Sequence, residues 1–555
     1  MDFYVAPEDQ KNDPQPLAAL VLQQDRWDDF GFKTQYHLFY FGPEFNGFVG
    51  NVKILQRGQG TSRHSLLTVG PRPALGDDFC SLGQSLDYYE RLASLPEFVR
   101  RDILTTLRDS LQDPSYAQRF HHEEGWRTSV TRDLDINFIP LATVLLERNY
   151  SEMVNMDVQL RFSAGGWQDP LVLDFSGPPQ PVGAPRMRAP PSLPPAPRIP
   201  FPSRLPDRVA VITGRNGSGK STLLFRLARI LHASQGDRRS EELLRLGSID
   251  PPGIGFSRII TIAYSAFDTF QVPGVGEIET RQIIKDIQAG TGRYVFAGLR
   301  DIARELQEKS SDEQSTPISV DGEQARFALD RQEITHLKSA KQLGEEFATA
   351  IAQIFASNRG HILLRVLNVL FADASFADVA DRPMEFLQRD PRKVFMSMST
   401  GHKIVLHATA ILIANALPKS IVLIDEPESH LHPPLLAAFM HGIRDVLHTH
   451  DSFAIIATHS PVVAQETLRR HVAVVSRSGD APRISPARIE TYGESIGAIT
   501  NEVFGLHANA TDYHAALQEM VSDGYSLEQI ESLFDAGLSL QARAYVMSLL
   551  AARRG

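Results

Sequence analysis

The distribution of apolar positions divides the 555-residue chain into unlike regions. Near the N-terminus, "TQYHLFYF" and "FVGNVKILQ" flank the turn-like "GPEFNG", which predicts two strands joined by a short connection. "LDYYERLASLPEFVRRDILTTLRDSLQ" carries its apolar residues at helical spacing and predicts an amphipathic helix broken near Pro96. "MDVQLRFSAGGWQDPLVLDFSG" predicts a hairpin turning at Gly165 and Gly166. From Gly177 to Pro206, twelve of thirty residues are proline, with Arg186, Arg188, Arg198 and Arg204 between them. Such a run fits neither a helix nor a central strand and is expected as a polyproline-type linker or surface loop. "RVAVIT" then predicts a buried strand and "LLFRLARIL" a helix. Residues 276–365 are expected to be mostly helical and charged, with a loop at "SSDEQSTPISVDGEQ". Beyond them, "KIVLHATAILIANAL" predicts a helix, while "SIVLIDEP" and "DSFAIIATHSP" predict buried strands. The last stretch, from "DYHAALQEM" onward, predicts several short helices. No internal repeat of 20–50 residues is present.

Composition narrows the function classes. An apolar share of 42% and a charged share of 22% are ordinary for a globular chain, and the net charge of −10 argues against a wholly basic, nucleic-acid-coating surface. A local basic face remains compatible with it. The single cysteine, Cys80, excludes an intrachain disulfide framework and a thiolate metal cluster. No run approaches roughly 18 apolar residues, so no membrane span is expected. The N-terminus lacks a secretory pattern, and the cytoplasm is the expected compartment.

The chemistry begins at "GRNGSGKST". Gly214, Gly219, Lys220 and Ser221 match G-x-x-x-x-G-K-[ST], with the apolar strand before and the helix after that this loop requires. Gly214, Asn216, Gly217, Ser218 and Gly219 would turn backbone N–H groups toward phosphate oxygens, aided by the positive end of the following helix. Lys220 should reach the β- and γ-phosphates, Ser221 should ligate Mg²⁺, and Thr222 completes the loop's exit. ATP with Mg²⁺ is the expected cofactor pair.

A phosphate loop needs a carboxylate for the metal. In "IVLIDEP", Asp425 emerges at the end of a strand buried on both faces, and Glu426 follows as the acid that could polarise the attacking water. "SMSTGHK" places Ser399, Thr400 and Gly401 at the start of a long helix, a second anion-binding arrangement. His459 in "IIATHSP" follows another buried strand, where an imidazole could touch the γ-phosphate. Ser399 lies 26 residues before Asp425, and His459 lies 34 after it. His121 and His122 in "RFHHEEG" lack a matching ligand pair and are expected in a solvated loop.

With this order and spacing, the chain resembles the ABC class of ATPases. "MSTGH" is similar to their signature motif, "LIDEP" to their magnesium strand with catalytic glutamate, and His459 to their switch histidine. Thr400 replaces the usual first signature glycine, and His432 stands where a D-loop aspartate is usual. "DEPESHLHP" and "ETYGESIGAITNEVFG" are similar to stand-alone ATPases of the OLD-like and SMC-like type, including bacterial phage-defence ATPases, rather than to transporter subunits. The resemblance implies a γ-phosphate sensing loop within "RIITIAYSAFDTFQVP", where Gln271 is the only glutamine and Ser265 sits nearer the expected strand end. It further implies a homodimer or higher oligomer joined through ATP. In that assembly, Ser399 of one copy would face the nucleotide on Lys220 of the other.

The expected fold class is therefore α/β: a P-loop NTPase with an ABC-type core, a β-rich N-terminal part and a helical insertion. The expected divisions are 1–176, completing the ATPase lobe; 177–207, proline-rich; 208–275, the P-loop lobe; 276–365, the insertion; 366–475, the lobe with Asp425 and His459; and 476–555, helical. The expected activity is ATP hydrolysis in an anti-phage or DNA-maintenance switch with a separate nuclease or toxin effector, nucleic acid being a possible partner. A transporter ATPase subunit and an OLD-like nuclease component are the alternatives.

Overall fold

The computed structural model describes residues 1–8, 18–62, 64–153, 158–176, 205–305, 330, 335–376, 383–478, 481–504 and 512–554. The expected proline-rich linker, except for its last residues, and the expected loop at "SSDEQSTPISVDGEQ" lie outside the described residues.

The first sheet is built from β1 (Phe3–Ala6), β2 (Leu20–Gln24), β3 (Gln35–Phe41), β4 (Asn46–Gln56), β5 (Gly70–Arg72) and β6 (Phe79–Gly83). Their order is β5-β1-β2-β3-β4-β6. β3 and β4 are the two strands expected around "GPEFNG", antiparallel with an irregularity at Leu38/Phe39. The helix expected after them is divided as its proline requires, into Leu86–Ser94 and Glu97–Thr106. These elements pack a core of their own, from Phe3 to Leu146.

The hairpin β7 (Gln159–Ala164) and β8 (Leu171–Asp174) alternates buried and exposed residues. With β10 (Gly247–Asp250) it forms a three-stranded sheet. Its inner residues, among them Leu160, Phe162 and Leu171, join Ala210, Leu223 and Ile455 in one cluster. The expected 1–176 region therefore contributes to two cores: its sheet closes on itself, and its hairpin closes on the phosphate-loop helix.

The third sheet carries the candidate chemistry. It contains β9 (Val209–Gly214), β11 (Ile259–Ala263), β12 (Tyr294–Gly298), β13 (Ile421–Asp425), β14 (Phe453–Thr458), β15 (Val472–Ser478) and β16 (Ala481–Pro486). The order is β12-β11-β13-β14-β9-β15-β16, with every pairing parallel except β15–β16. β9, β13 and β14 are buried at every position, which explains their unbroken apolar sequences. Each fully buried Val, Ile or Leu contributes about 1.5–3 kcal/mol relative to exposure. Helices Ala340–Ala356, Gly360–Leu370, Thr400–Asn415 and Pro433–Thr449 cover one face.

Two expected regions differ in detail. The 276–365 stretch is not helical throughout, because Tyr294–Gly298 is an edge strand beside β11. Five residues are too short to show a period. The partner strand makes them a strand. Likewise the expected helical region from 476 begins inside the β15–β16 hairpin, which extends the core sheet.

Candidate active site

Because the strands run parallel, the C-terminal ends of β9, β13 and β14 emerge at one edge of the sheet. From β9 the chain passes through Gly214–Gly219 into the helix Lys220–His232. Gly214 has φ of 151°, and a Cβ there would lie 2.2 Å from the Val475 carbonyl oxygen on β15. Only glycine lets the loop leave the sheet so closely. Arg215, Asn216 and Gly217 are exposed, Ser218 is buried, and Ser221 and Thr222 begin the helix half-buried. Lys220 is 4% exposed, and its Nζ donates to the carbonyls of Gly214 (2.9 Å) and Arg215 (3.2 Å). Burial lowers its pKa against the raising effect of Glu426, Asp425 and Glu428. A buried ammonium held by two carbonyls at the mouth of a glycine loop fits a polyphosphate.

Asp425 leaves β13 directly opposite Ala457 of β14. The Ser221 hydroxyl donates to its Oδ1 at 2.9 Å. Burial pushes Asp425 up to about 7, with Ser221 opposing and the charges of Glu426 and Asp268 adding. A hydroxyl and a carboxylate side by side are hard oxygen donors, the set that suits Mg²⁺ sharing its shell with phosphate oxygens and water. Among the described residues no group of three or more His, Cys, Asp or Glu could hold a metal ion by itself.

Glu426 adopts a left-handed φ of 46°, with its N–H bonded to the Ala457 carbonyl at 2.8 Å. His459 Nδ1 lies 3.8 Å from Glu426 Oε1 and 3.0 Å from Glu428 Oε1. The Glu428 hydrogen bond raises the His459 pKa against the effect of burial. Lys220, Ser221, Asp425, Glu426 and His459 thus gather at one edge.

The contacts of the remaining expected residues are with other partners. Ser399 is exposed and caps the helix Thr400–Asn415, accepting from the His402 N–H at 3.3 Å. Gly401 approaches the His430 carbonyl, 3.0 Å from where a Cβ would stand. The Gln271 N–H donates to the Asp330 carbonyl at 3.0 Å, and the Asp330 carboxylate grips Arg226. Three positions before Gln271 in the same loop, the charge of Asp268 raises the Asp425 pKa.

Two residues escaped the sequence reading. Trp167, in the β7–β8 turn, covers the phosphate loop: a Cβ on Gly219 would lie 3.1 Å from its Cζ2. Glu428, within "DEPESHLHP", meets His459 where the neighbouring strands β13 and β14 end. Their only sequence signal was an aromatic in a glycine turn and a third acid after the paired acids.

Strand, glycine loop, helix and carboxylate strand at one sheet edge are the arrangement of an α/β P-loop NTPase fold. Residues 304–464 match the family described as "AAA domain, putative AbiEii toxin, Type IV TA system". The chain is 28% identical over 540 residues to Protein ea59 of Escherichia phage lambda, covering 95% of this chain and 94% of that protein. Among solved structures, the SMC head domain from Thermotoga maritima is similar at 14% identity and a TM-score of 0.26, covering 60% of this chain and 99% of that one. A putative metal-chelate type ABC transporter in an inward-facing conformation is similar at 14% identity and a TM-score of 0.25, covering 60% and 84%.

Proposed function

We propose that this protein hydrolyses ATP and uses the cycle as a dimerisation switch. The observation that carries the reading is the convergence of Lys220, Ser221, Asp425, Glu426 and His459 at one sheet edge, from segments up to 239 residues apart in sequence. Lys220 leaves its two carbonyl acceptors to hold β- and γ-phosphate oxygens. Ser221 and Asp425 hold Mg²⁺, which neutralises phosphate charge when bound. Glu426 orients and deprotonates the attacking water. His459 contacts the γ-phosphate.

Ser399 and Gly401 serve the other copy's nucleotide. Their helix start is exposed and packs on the His430–Leu431 turn rather than on its own phosphate loop. A reciprocal head-to-tail pair closes by a twofold axis, with ATP in the contact. Within each copy the hairpin β7–β8 completes the ATPase lobe, and the β1–β6 sheet with the helices packed on it is a docked module. Gln271 belongs to the loop that reports the γ-phosphate.

The reading includes a regulatory role in conflict between phage and bacterium, working on a separate effector protein; the matched family description names a toxin–antitoxin system and one relative is itself phage-encoded. The same support makes a phage-side role as natural as a host-defence one. Among the described residues no helix is long and apolar enough to cross a membrane.

Mixing tests the switch. Lys220→Ala and Ser399→Arg chains are each expected to be inactive alone. A mixed dimer keeps one composite site with both residues intact, so hydrolysis should partly recover. Normal hydrolysis and ATP-dependent association in Ser399→Arg alone would defeat the shared-site reading.

A further inference from the structure

His459 is held from behind by a carboxylate that belongs to neither the metal nor the water. Glu428 Oε1 receives three hydrogen bonds: from the Thr458 hydroxyl (2.8 Å), the His459 N–H (2.6 Å) and His459 Nδ1 (3.0 Å). The Glu428 side chain is 10% exposed, and its Oε2 is buried without a hydrogen-bond partner. The same Nδ1 stands 3.8 Å from Glu426, so two carboxylates compete for one ring nitrogen and the nearer one holds it.

We propose, resting on the ATPase reading of this site, that Glu428 is a positioning residue: it holds His459 by Nδ1, leaves Nε2 for the nucleotide, and keeps the imidazole off Glu426. An ionised carboxylate only accepts hydrogen bonds, so the nitrogen facing it carries the proton. In the neutral ring that makes Nε2 the bare nitrogen, and in the cation it makes Nε2 a donor. Burial works to raise the Glu428 pKa, but the hydrogen bonds from His459 and Thr458 hold it below the ordinary value, so it stays an acceptor. All three donors come from Thr458, the last residue of β14, and from His459 just after it, which ties the loop after β13 to the neighbouring strand. Without Glu428, His459 would turn to Glu426 and occupy the carboxylate needed by the attacking water.

The test uses the full-length chain. Glu428→Ala should lower kcat about 10–100-fold, as loss of a residue orienting a functional histidine does, with KM for MgATP within about twofold. Glu428→Gln, which keeps shape and an acceptor oxygen, should fall between Glu428→Ala and wild type. Adding Glu428→Ala to His459→Ala should cost nothing further, because the first acts through the second. Fully additive losses, or wild-type kcat in Glu428→Ala, would overturn the proposal. Imidazole ¹⁵N spectra of the nucleotide-free protein give a readout apart from activity. His459 should be protonated at Nδ1 in wild type and redistribute toward Nε2–H in Glu428→Ala. An unchanged tautomer would also overturn it. If the wild-type protein hydrolyses no ATP, the ATPase reading fails, while the tautomer measurement still judges the clamp.

Discussion

The helix Lys220–His232 joins two clusters of buried charge that treat their carboxylates in opposite ways. At its C-terminal end, His232 lies 3.4 Å from Asp87 of the N-terminal module, and Arg293 reaches the same carboxylate at 2.7 Å. Arg91 pairs with Asp286 at 2.9 Å beside them. Burial alone would raise the Asp87 pKa, but Arg293, His232 and Arg91 hold it well below the carboxylate range. At the helix's N-terminal end, Asp425 has a neutral hydroxyl for a partner, Lys220 bonds to carbonyls, and burial prevails. In the first cluster Asp87 and Asp286 have their counter-charges within the folded chain, and the cluster fastens two cores together. The second is under-paired, and a metal ion with a polyphosphate would complete it.

The contrast breaks first on stability. Asp87→Ala leaves Arg293 buried without its counter-charge and is expected to cost about 3–5 kcal/mol in urea unfolding. The protein that remains folded should bind ATP normally. Because the folded pKa of Asp87 is depressed, its stabilisation is present above the ordinary carboxylate pKa of about 4 and is lost as pH falls below it. The stability gap between wild type and Asp87→Asn should therefore close on acidification. A gap that widened instead would mean that Asp87 is not held by its cations.

Chemistry comes next. Glu426→Gln should lower kcat about 100-fold, close to 3 kcal/mol, with ATP binding and melting temperature preserved. Wild-type turnover would remove Glu426 as the base. A smaller effect separates the clusters from the other side. Asp425→Asn relieves an under-paired buried acid and should raise nucleotide-free stability by about 1 kcal/mol while hydrolysis is lost. Destabilisation as large as that of Asp87→Ala would erase the distinction. The smallest expected effect belongs to Ser399→Ala. Losing the cap should cost the single chain about 1 kcal/mol or less by thermal unfolding. An additional loss of ATP-dependent association would show that Ser399 does more than cap.

The site was legible where its residues are neighbours in the chain. Gly214 to Thr222 announces itself because a phosphate cradle is made of consecutive backbone groups, and Asp425–Glu426 because an apolar strand must end before it can present acids. The Pro96 break was legible because proline acts on its own helix. β12 was not, since an edge strand of five residues is defined by the strand it joins. The Gln271 expectation followed residue type; that the charge of Asp268, in the same loop after β11, bears on Asp425 had no signal in the sequence.

By itself, then, the sequence determined the glycine loop, the strand that ends in Asp425 and the fold class, because each rests on local backbone geometry and on apolar runs that must be buried. Only the tertiary structure decided that Glu428 clamps His459, that Trp167 covers Gly219 and that Asp87 is paired while Asp425 is not. Those facts depend on which strands become neighbours and on how many counter-charges reach each carboxylate. A linear pattern carries no measure of either.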